Sequence, residues 1–418
     1  MAESFKFIHA SELRLDLPMQ GLTKLSPHLK PALTEAPYAA AAHVFDHAIN
    51  ERVDFLLLSG KPFDHESAGP RAWSFLLDQF QRLAEQQIKV YWATDNIDAP
   101  PNHSFTEALP SNVITFSSES IEVIAHTKQG QTVATLHGTS MHHLASKSND
   151  FFTTEDEPFP MAIASGELEI DLAEISNIRY WAMGGRALTH ITETAQSTLG
   201  CPGSPQGRSL LESGACGCLL GRVSKSGDLK LRKIETDTVR WIHQKITIPE
   251  DVSDERLKNI FSERAMILAQ ENPNQNVIVQ WHLLTNGQLN MSLRQTKRKE
   301  NLLSWLRQEF GNDTKNRLWT TDLVIEPPQS LPQQWHEEDT ILGDYLRAVE
   351  IYQNGEPAAI SLRDSLPESA ADSFLSELAY VDPNERSDLL RQTAMVGIDY
   401  MGPPPNRDDS LPTDPKTI

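Results

Sequence analysis

A chain of 418 residues with 39% hydrophobic and 22% charged residues has room for two or three domains and a sizeable core. Its net charge of −20 excludes a protein that grips nucleic acid with its whole surface, since neutralising phosphates requires a basic one. No apolar run approaches the ~20 residues that cross a bilayer, and the opening MAESFKFIHA enters a strand without the pattern of a secretory leader.

In chain order, strands are predicted at 6–9, 54–58, 88–92, 113–116, 133–136, 161–164 and 179–183, with helices at 38–50 and 71–86. Residues 219–223 and 229–234, separated by Ser-Lys-Ser-Gly-Asp, read as a hairpin. Residues 1–245 therefore read as one α/β domain. A second unit over 246–330 is expected to run helix 254–271, strand 276–284, a turn at 285–287, a returning strand 288–293 and helix 301–310. Beyond Pro327-Pro328 the chain turns acidic: 331–400 holds 14 Asp/Glu against 4 Arg/Lys. Helices are expected there at 339–353, 367–379 and 384–396, followed by a Pro-rich polar tail over 401–418, expected to be disordered.

Cys201, Cys216 and Cys218 are too few and too clustered for a disulfide framework, so a reducing cytoplasm is the expected setting. Cys216 and Cys218 read as packing residues on one strand face rather than a metal pair. His142-His143 reads as a surface pair, because no carboxylates share its spacing.

Four segments carry the chemistry: 5–16 (FKFIHASELRLD), 53–64 (VDFLLLSGKPFD), 90–98 (VYWATDNID) and 180–188 (YWAMGGRAL). In each an apolar strand runs into a short polar turn, where α/β sheets hold ligands. The fourth opens with Tyr180-Trp181-Ala182-Met183-Gly184, and the runs from Cys201 to Arg208 (CPGSPQGR) and from Glu212 to Gly217 (ESGACG) bring the total to six segments in order. Together they resemble the SbcD-type DNA repair exonucleases of the calcineurin-like metallophosphoesterase superfamily. The resemblance covers the first 245 residues well and the next 85 loosely. It implies a four-layer core of β-sheets flanked by helices, then a small α+β capping domain and a helical C-terminal segment.

In that family the four places read D-x-H, G-D-x-x-D, G-N-H-D and G-H-x-H and hold two Mn/Mg-type divalent ions. Here they read E-L-R, G-K-P-F-D, D-N-I-D and G-G-R-A. By resemblance, the ligand positions fall on Glu12, Arg14, Lys61, Asn96, Ser165, Gly185 and Ala187, and the general acid on Ile97. Only Glu12 and Asn96 still offer an oxygen in the expected place. An ammonium at about 4 Å from a divalent ion costs on the order of 8 kcal/mol at an effective dielectric near 20, so Lys61 argues against a metal bridge. No catalytic residue, metal ligand or cofactor is therefore expected.

Two readings follow. One is a catalytically inactive homologue that scaffolds a DNA-processing complex with an SMC-like coiled-coil ATPase, which the helices of 339–396 would grip through Leu342, Leu346, Val349 and Tyr352. Intramolecular packing is an equal account of that stripe. The other is a metal-dependent DNA exonuclease with a non-standard site, drawing oxygens from Glu12, Asp16, Asp64, Asp95, Asn96 and Asp98. Arg14, Lys61 and Arg186 could also bind a phosphate statically, although Lys61 pairing with Glu12 and Arg14 with Asp64 would close that pocket. The densest basic run, with Arg294, Lys297, Arg298 and Lys299, is a candidate DNA contact or a solvated loop between strand and helix. A homodimer through the first domain is implied by the resemblance alone.

Overall fold

The computed structural model describes residues 3–22, 29–63, 69–93, 108–116, 120–139, 157–166, 177–311, 317–328, 331, 333–337, 339–354, 360–361, 380–381 and 383–401. The helix expected at 367–379 and nearly all of the tail lie outside them. Contacts divide the chain into two units. The first comprises Met1–His243, Arg264–Gln280 and Arg307–Thr321; the second comprises Gln244–Glu263, Trp281–Leu306 and Asp322–Ile418.

The first unit is a mixed α/β fold with sheets and flanking helices. One six-stranded sheet contains β1 (Phe5–Ser11), β2 (Phe55–Ser59), β3 (Lys89–Ala93) and β4 (Val113–Thr115), all parallel, with β1 continuing antiparallel into β11 (Gly217–Val223) and β12 (Leu229–Glu235). The other contains β5 (Glu122–Lys128), β6 (Gln131–Thr139), β7 (Pro160–Ala164), β8 (Tyr180–Met183), β9 (His190–Glu193) and β10 (Thr198–Cys201), in the order β5-β6-β7-β8-β10-β9. Within it β6, β7, β8 and β10 run parallel.

Strand periodicity sorts the side chains. Ile8 and Ala10 of β1, Leu56 and Leu58 of β2, and Val90 and Trp92 of β3 pack against α1 (Leu29–Asn50) and α2 (Pro70–Glu85) through Val44, Phe45, Leu76 and Phe80. The alternate set, Phe5, Phe7, Phe55, Leu57 and Tyr91, meets Leu136, Met161, Ile163 and Tyr180 of the second sheet. Of the four layers expected, helix, sheet and sheet lie among the described residues. α1 begins nine residues before the expected 38–50 and carries Pro37 inside it, buried with Ala36 and Ala40, so tertiary packing outweighs the local cost of a proline in a helix.

Strands β13 (Val239–Thr247), β14 (Asn276–Leu284) and β15 (Leu318–Ile325) form a three-stranded sheet. α3 (Asp254–Glu271) contributes Phe261, whose ring stands edge-on to Trp281 at 5.2 Å. The expected strand at 288–293 is instead a helix, α4 (Gly287–Arg294). The four-residue spacing of Leu289 and Leu293 buries both, and Asn290 is buried because its amide donates to the carbonyls of Thr285 and Glu326. α5 (Thr296–Phe310) follows at once, so the basic run is helical rather than a loop between strand and helix.

α6 (Gln333–Glu337) leads to α7 (Ile341–Asn354) and α8 (Pro383–Met401). Leu342, Leu346 and Val349 are spent inside this unit against Leu390, Ala394, Met395 and Ile398, which makes that stripe intramolecular packing. Tyr352 alone of the expected stripe stays exposed. Among the described residues no helix is long and apolar enough to cross a membrane.

Candidate functional site

The carboxyl ends of β1, β2, β7 and β8 converge. Gly60, following β2, has φ +82°, and a β-carbon there would collide with Glu12 Oε1. A β-carbon on Gly184, following β8, would lie 2.8 Å from the Ser165 carbonyl oxygen and 2.9 Å from the Gly60 nitrogen. Glycine is required at Gly60 by its positive φ and by the Glu12 carboxylate packed against it, and at Gly184 because backbone meets backbone there. Turns from the two sheets thus touch, and the expected positions Glu12, Ser165 and Gly185 share one place.

What fills that place is Glu12. Its side chain is only 8% exposed; Oε1 accepts the Gly185 N–H at 3.1 Å and Oε2 accepts Arg14 Nε at 2.9 Å. Arg14 also reaches Glu212 at 3.5 Å. Glu12 and Arg14 both adopt left-handed backbone, an unusual state for residues with side chains. Lys61 is exposed, and the buried charge beside Gly60 is the Glu12 carboxylate. The pairing expected between Lys61 and Glu12 gives way to Arg14 with Glu12; Asp64, the partner expected for Arg14, lies outside the described residues. Arg186 and Ala187 are half-buried on the turn after β8. Asp95, Asn96, Ile97, Asp98, His142 and His143 also lie outside the described residues.

A buried arginine that belongs to none of the expected ligand positions holds this loop in place. Arg208 Nη2 donates to the carbonyls of Leu13 at 3.1 Å and Arg14 at 2.9 Å, and Nη1 to Ser204 Oγ at 3.2 Å. Its backbone N–H donates to Glu212 Oε2 at 3.0 Å. Burial pulls the guanidinium down to about 10, partly offset by Glu212, so it stays charged at neutral pH. Gln206 is buried too, bridging the Gly207 and Val239 carbonyls and the Thr238 and Val239 N–H groups. The signal for both was the run from Pro202 to Arg208, polar residues between prolines and glycines with no strand or helix to serve.

Beneath the turns lies a buried relay that the sequence did not disclose: Ser59 Oγ to His9 Nε2 at 2.8 Å, and His9 Nδ1 to Tyr180 Oη at 2.8 Å. Serine beside histidine could suggest a nucleophile. All three are completely buried, so no substrate reaches them, and burial depresses His9 to about 3, leaving the ring neutral. The relay is a core hydrogen-bond set joining β1, β2 and β8. Cys216 and Cys218 are buried as well, with burial pushing the thiols up to about 11 and about 12.

The basic residues 294–299 belong to the second unit. Arg294 pairs with Asp399 at 2.6 Å, Arg298 with Asp254 at 2.6 Å and Lys299 with Asp322 at 3.1 Å, while Lys297 is exposed.

No family profile matches the chain. Over 266 residues the sequence is 29% identical to the uncharacterized metallophosphoesterase YhaO of Bacillus subtilis, covering 60% of this chain and 65% of that protein. The relationship supports the metallophosphoesterase superfamily. A Staphylococcus aureus structure named for a 5'-nucleotidase shows 11% identity over 62% of this chain and 58% of its own, with a TM-score of 0.35. A double mutant of Vps29 from Entamoeba histolytica shows 10% identity over 55% of this chain and 98% of its own, with a TM-score of 0.26. At such TM-scores neither likeness carries weight for function.

Metallophosphoesterases of the type resembled use two divalent ions, and the described residues do not fit them. Both oxygens of Glu12 already accept hydrogen bonds, and of the other positions that the resemblance marks, Arg14 is a cation while Ser165, Gly185 and Ala187 carry no imidazole or carboxylate. Among the described residues no group of three or more His, Cys, Asp or Glu is placed to hold a metal.

Proposed function

We propose that this protein is a metallophosphoesterase-fold subunit that no longer hydrolyses phosphodiesters and serves as a scaffold in a DNA-processing complex with an SMC-like coiled-coil ATPase. One observation carries the loss of activity: the Glu12 carboxylate is locked between Arg14 and the Gly185 amide at the point where strand ends converge. A metal would have to break that ion pair and then sit beside the released guanidinium. The loss of a general acid at Ile97 removes the proton donor as well. Metallophosphoesterase kinship supports the ancestry of the reading and the reaction class that was given up.

For the scaffold role, α7 and α8 keep large apolar side chains outward after their inner stripe is spent. Ile341 is 78%, Tyr352 62% and Tyr400 87% exposed. Ile341 and Tyr352 stand eleven residues apart, close to three full turns, and so share one helix face. Aromatic residues of this kind anchor protein partners.

The experiment pairs elemental analysis of the purified protein with a nuclease assay on DNA ends, and with co-purification from the native cell. The expected results are no stoichiometric manganese, iron or zinc, no cleavage, and an SMC-like ATPase in the complex. Mn²⁺-dependent cleavage would overturn the inactive reading in favour of an exonuclease with a non-standard site; absence of the ATPase would overturn the partner.

A further inference from the structure

A groove of about 640 Å³ lies in the first unit where β2 and β3 begin and β5 ends, away from the convergence around Glu12. Its walls include Arg52, Asp54, Gln87, Lys89, His126 and Lys128. The volume falls in the range of small-molecule sites.

The charge of these walls does not balance. Asp54, the single carboxylate among them, pairs with Lys128 at 2.9 Å and also accepts the Lys6 N–H at 2.8 Å. Arg52 and Lys89 form no ion pair among the described residues, which leaves two positive charges over. The ends of α1 and α2 offset little of that charge, because their last turns are already capped. The Ala48 carbonyl accepts the Val53 N–H at 3.1 Å and the Leu83 carbonyl accepts the Ile88 N–H at 3.0 Å.

His126 adds a donor that opens on the groove. The residue is only 4% exposed, and its Nδ1 lies 2.9 Å from Tyr91 Oη. Burial pulls the ring down to about 4, so it is neutral at pH 7. The Tyr91 hydroxyl has no other hydrogen-bond partner, so it donates to Nδ1 and the ring proton sits on Nε2. That Nε2–H has no partner among the described residues, and the ring lines the groove. A shift of register between His126 and Thr127 marks a β-bulge, a device that re-aims side chains beside functional sites.

The backbone gives a separate sign. Arg52 and Gln87 hold φ of +52° and +58° just past the ends of α1 and α2, where glycine is usual. Each helix end keeps a long polar side chain there against backbone preference, and both line this one groove.

We infer that the groove binds a phosphate monoester, its dianionic head received by Arg52, Lys89 and the Nε2–H of His126. Two uncompensated cations match the charge of about −1.5 to −2 that such a group carries at neutral pH, whereas a carboxylate would leave one unmatched. The inference stands apart from the scaffold role, and its failure would leave that reading untouched.

The test is calorimetric titration of the full chain at low ionic strength with glycerol 3-phosphate and with acetate. One saturable site is expected for glycerol 3-phosphate, with acetate at least about tenfold weaker. Lys89→Ala and Arg52→Gly are each expected to weaken it about tenfold. Arg52→Gly also relieves the left-handed backbone, so its urea midpoint should hold or rise while binding falls, which separates lost binding from lost folding. The ring resonances of His126, assigned with His126→Gln, are expected to shift along the same saturation curve. No saturation by glycerol 3-phosphate up to about 10 mM, saturation untouched by both variants, or a His126 ring that does not respond overturns the inference. Acetate binding as tightly as glycerol 3-phosphate overturns the dianion and the monoester with it.

Discussion

Arg14 Nε lies 2.9 Å from Glu12 Oε2, and both residues hold a left-handed backbone, at φ +46° and +49°. Two strained residues, separated by Leu13 alone, persist only where the surroundings over-determine them. Here those surroundings are the Gly185 amide, which takes the other carboxylate oxygen, and Arg208, which takes the loop carbonyls.

Replacing Glu12 with alanine keeps the unfavourable φ, removes the acceptor of the Gly185 N–H and leaves the Arg14 guanidinium with Glu212 alone. Glu12→Ala is expected to destabilise by about 2–3 kcal/mol, read as a fall in the urea midpoint at constant slope. A variant as stable as the parent would show that the ion pair holds nothing in place.

Arg208→Ala removes the donor to Leu13 and Arg14 and leaves Glu212 facing Arg14 alone. The expected loss is about 3 kcal/mol, with amide exchange quickening over 12–17 before the rest of the first unit. Arg208→Lys should recover only part, since an ammonium cannot reproduce the forked contacts.

His9 carries a pH prediction. Its folded value, about 3, lies below the ordinary 6.5, so the unfolded chain binds the extra proton. The stabilisation is complete above 6.5 and is lost as pH falls from there toward 3, at about 1.4 kcal/mol per unit. Urea unfolding at stepped pH should show this slope, and His9→Gln should flatten it. An unchanged slope in the variant would assign the acid lability to other groups.

For the basic run, Arg294 and Arg298 already serve Asp399 and Asp254 within the second unit. Charge reversal at Lys297 and Arg298 is therefore expected to leave DNA retention and its salt dependence unchanged. A drop in the salt slope by about one per residue would instead mark phosphate contacts.

Much of the first unit was legible because its strands bury both faces, so β1, β2, β3, β7 and β8 stand out as short apolar runs. β9, wholly exposed, and β15, carrying Thr320, Thr321 and Asp322, send no such signal. The strand read at 288–293 failed for a different reason. Asn290 is polar yet buried, its amide donating to the Thr285 and Glu326 carbonyls, so polarity does not separate the inner from the outer face of this segment. At the site, the convergence of Glu12, Ser165 and Gly185 could be placed by resemblance. The identity of the buried charge could not. Lys61 and Glu12 both border Gly60, and only three-dimensional packing decides which of them turns inward. Arg208 was hidden because its partners are backbone carbonyls nearly two hundred positions away, which leave no trace in composition.

Gly60 follows a strand of one sheet and Gly185 lies just beyond a strand of the other, so a single acidic side chain acts as a rivet through the seam of the sandwich. Lengthening either turn by one residue would pull the rivet, which ties any insertion on one side of the seam to a matching change on the other.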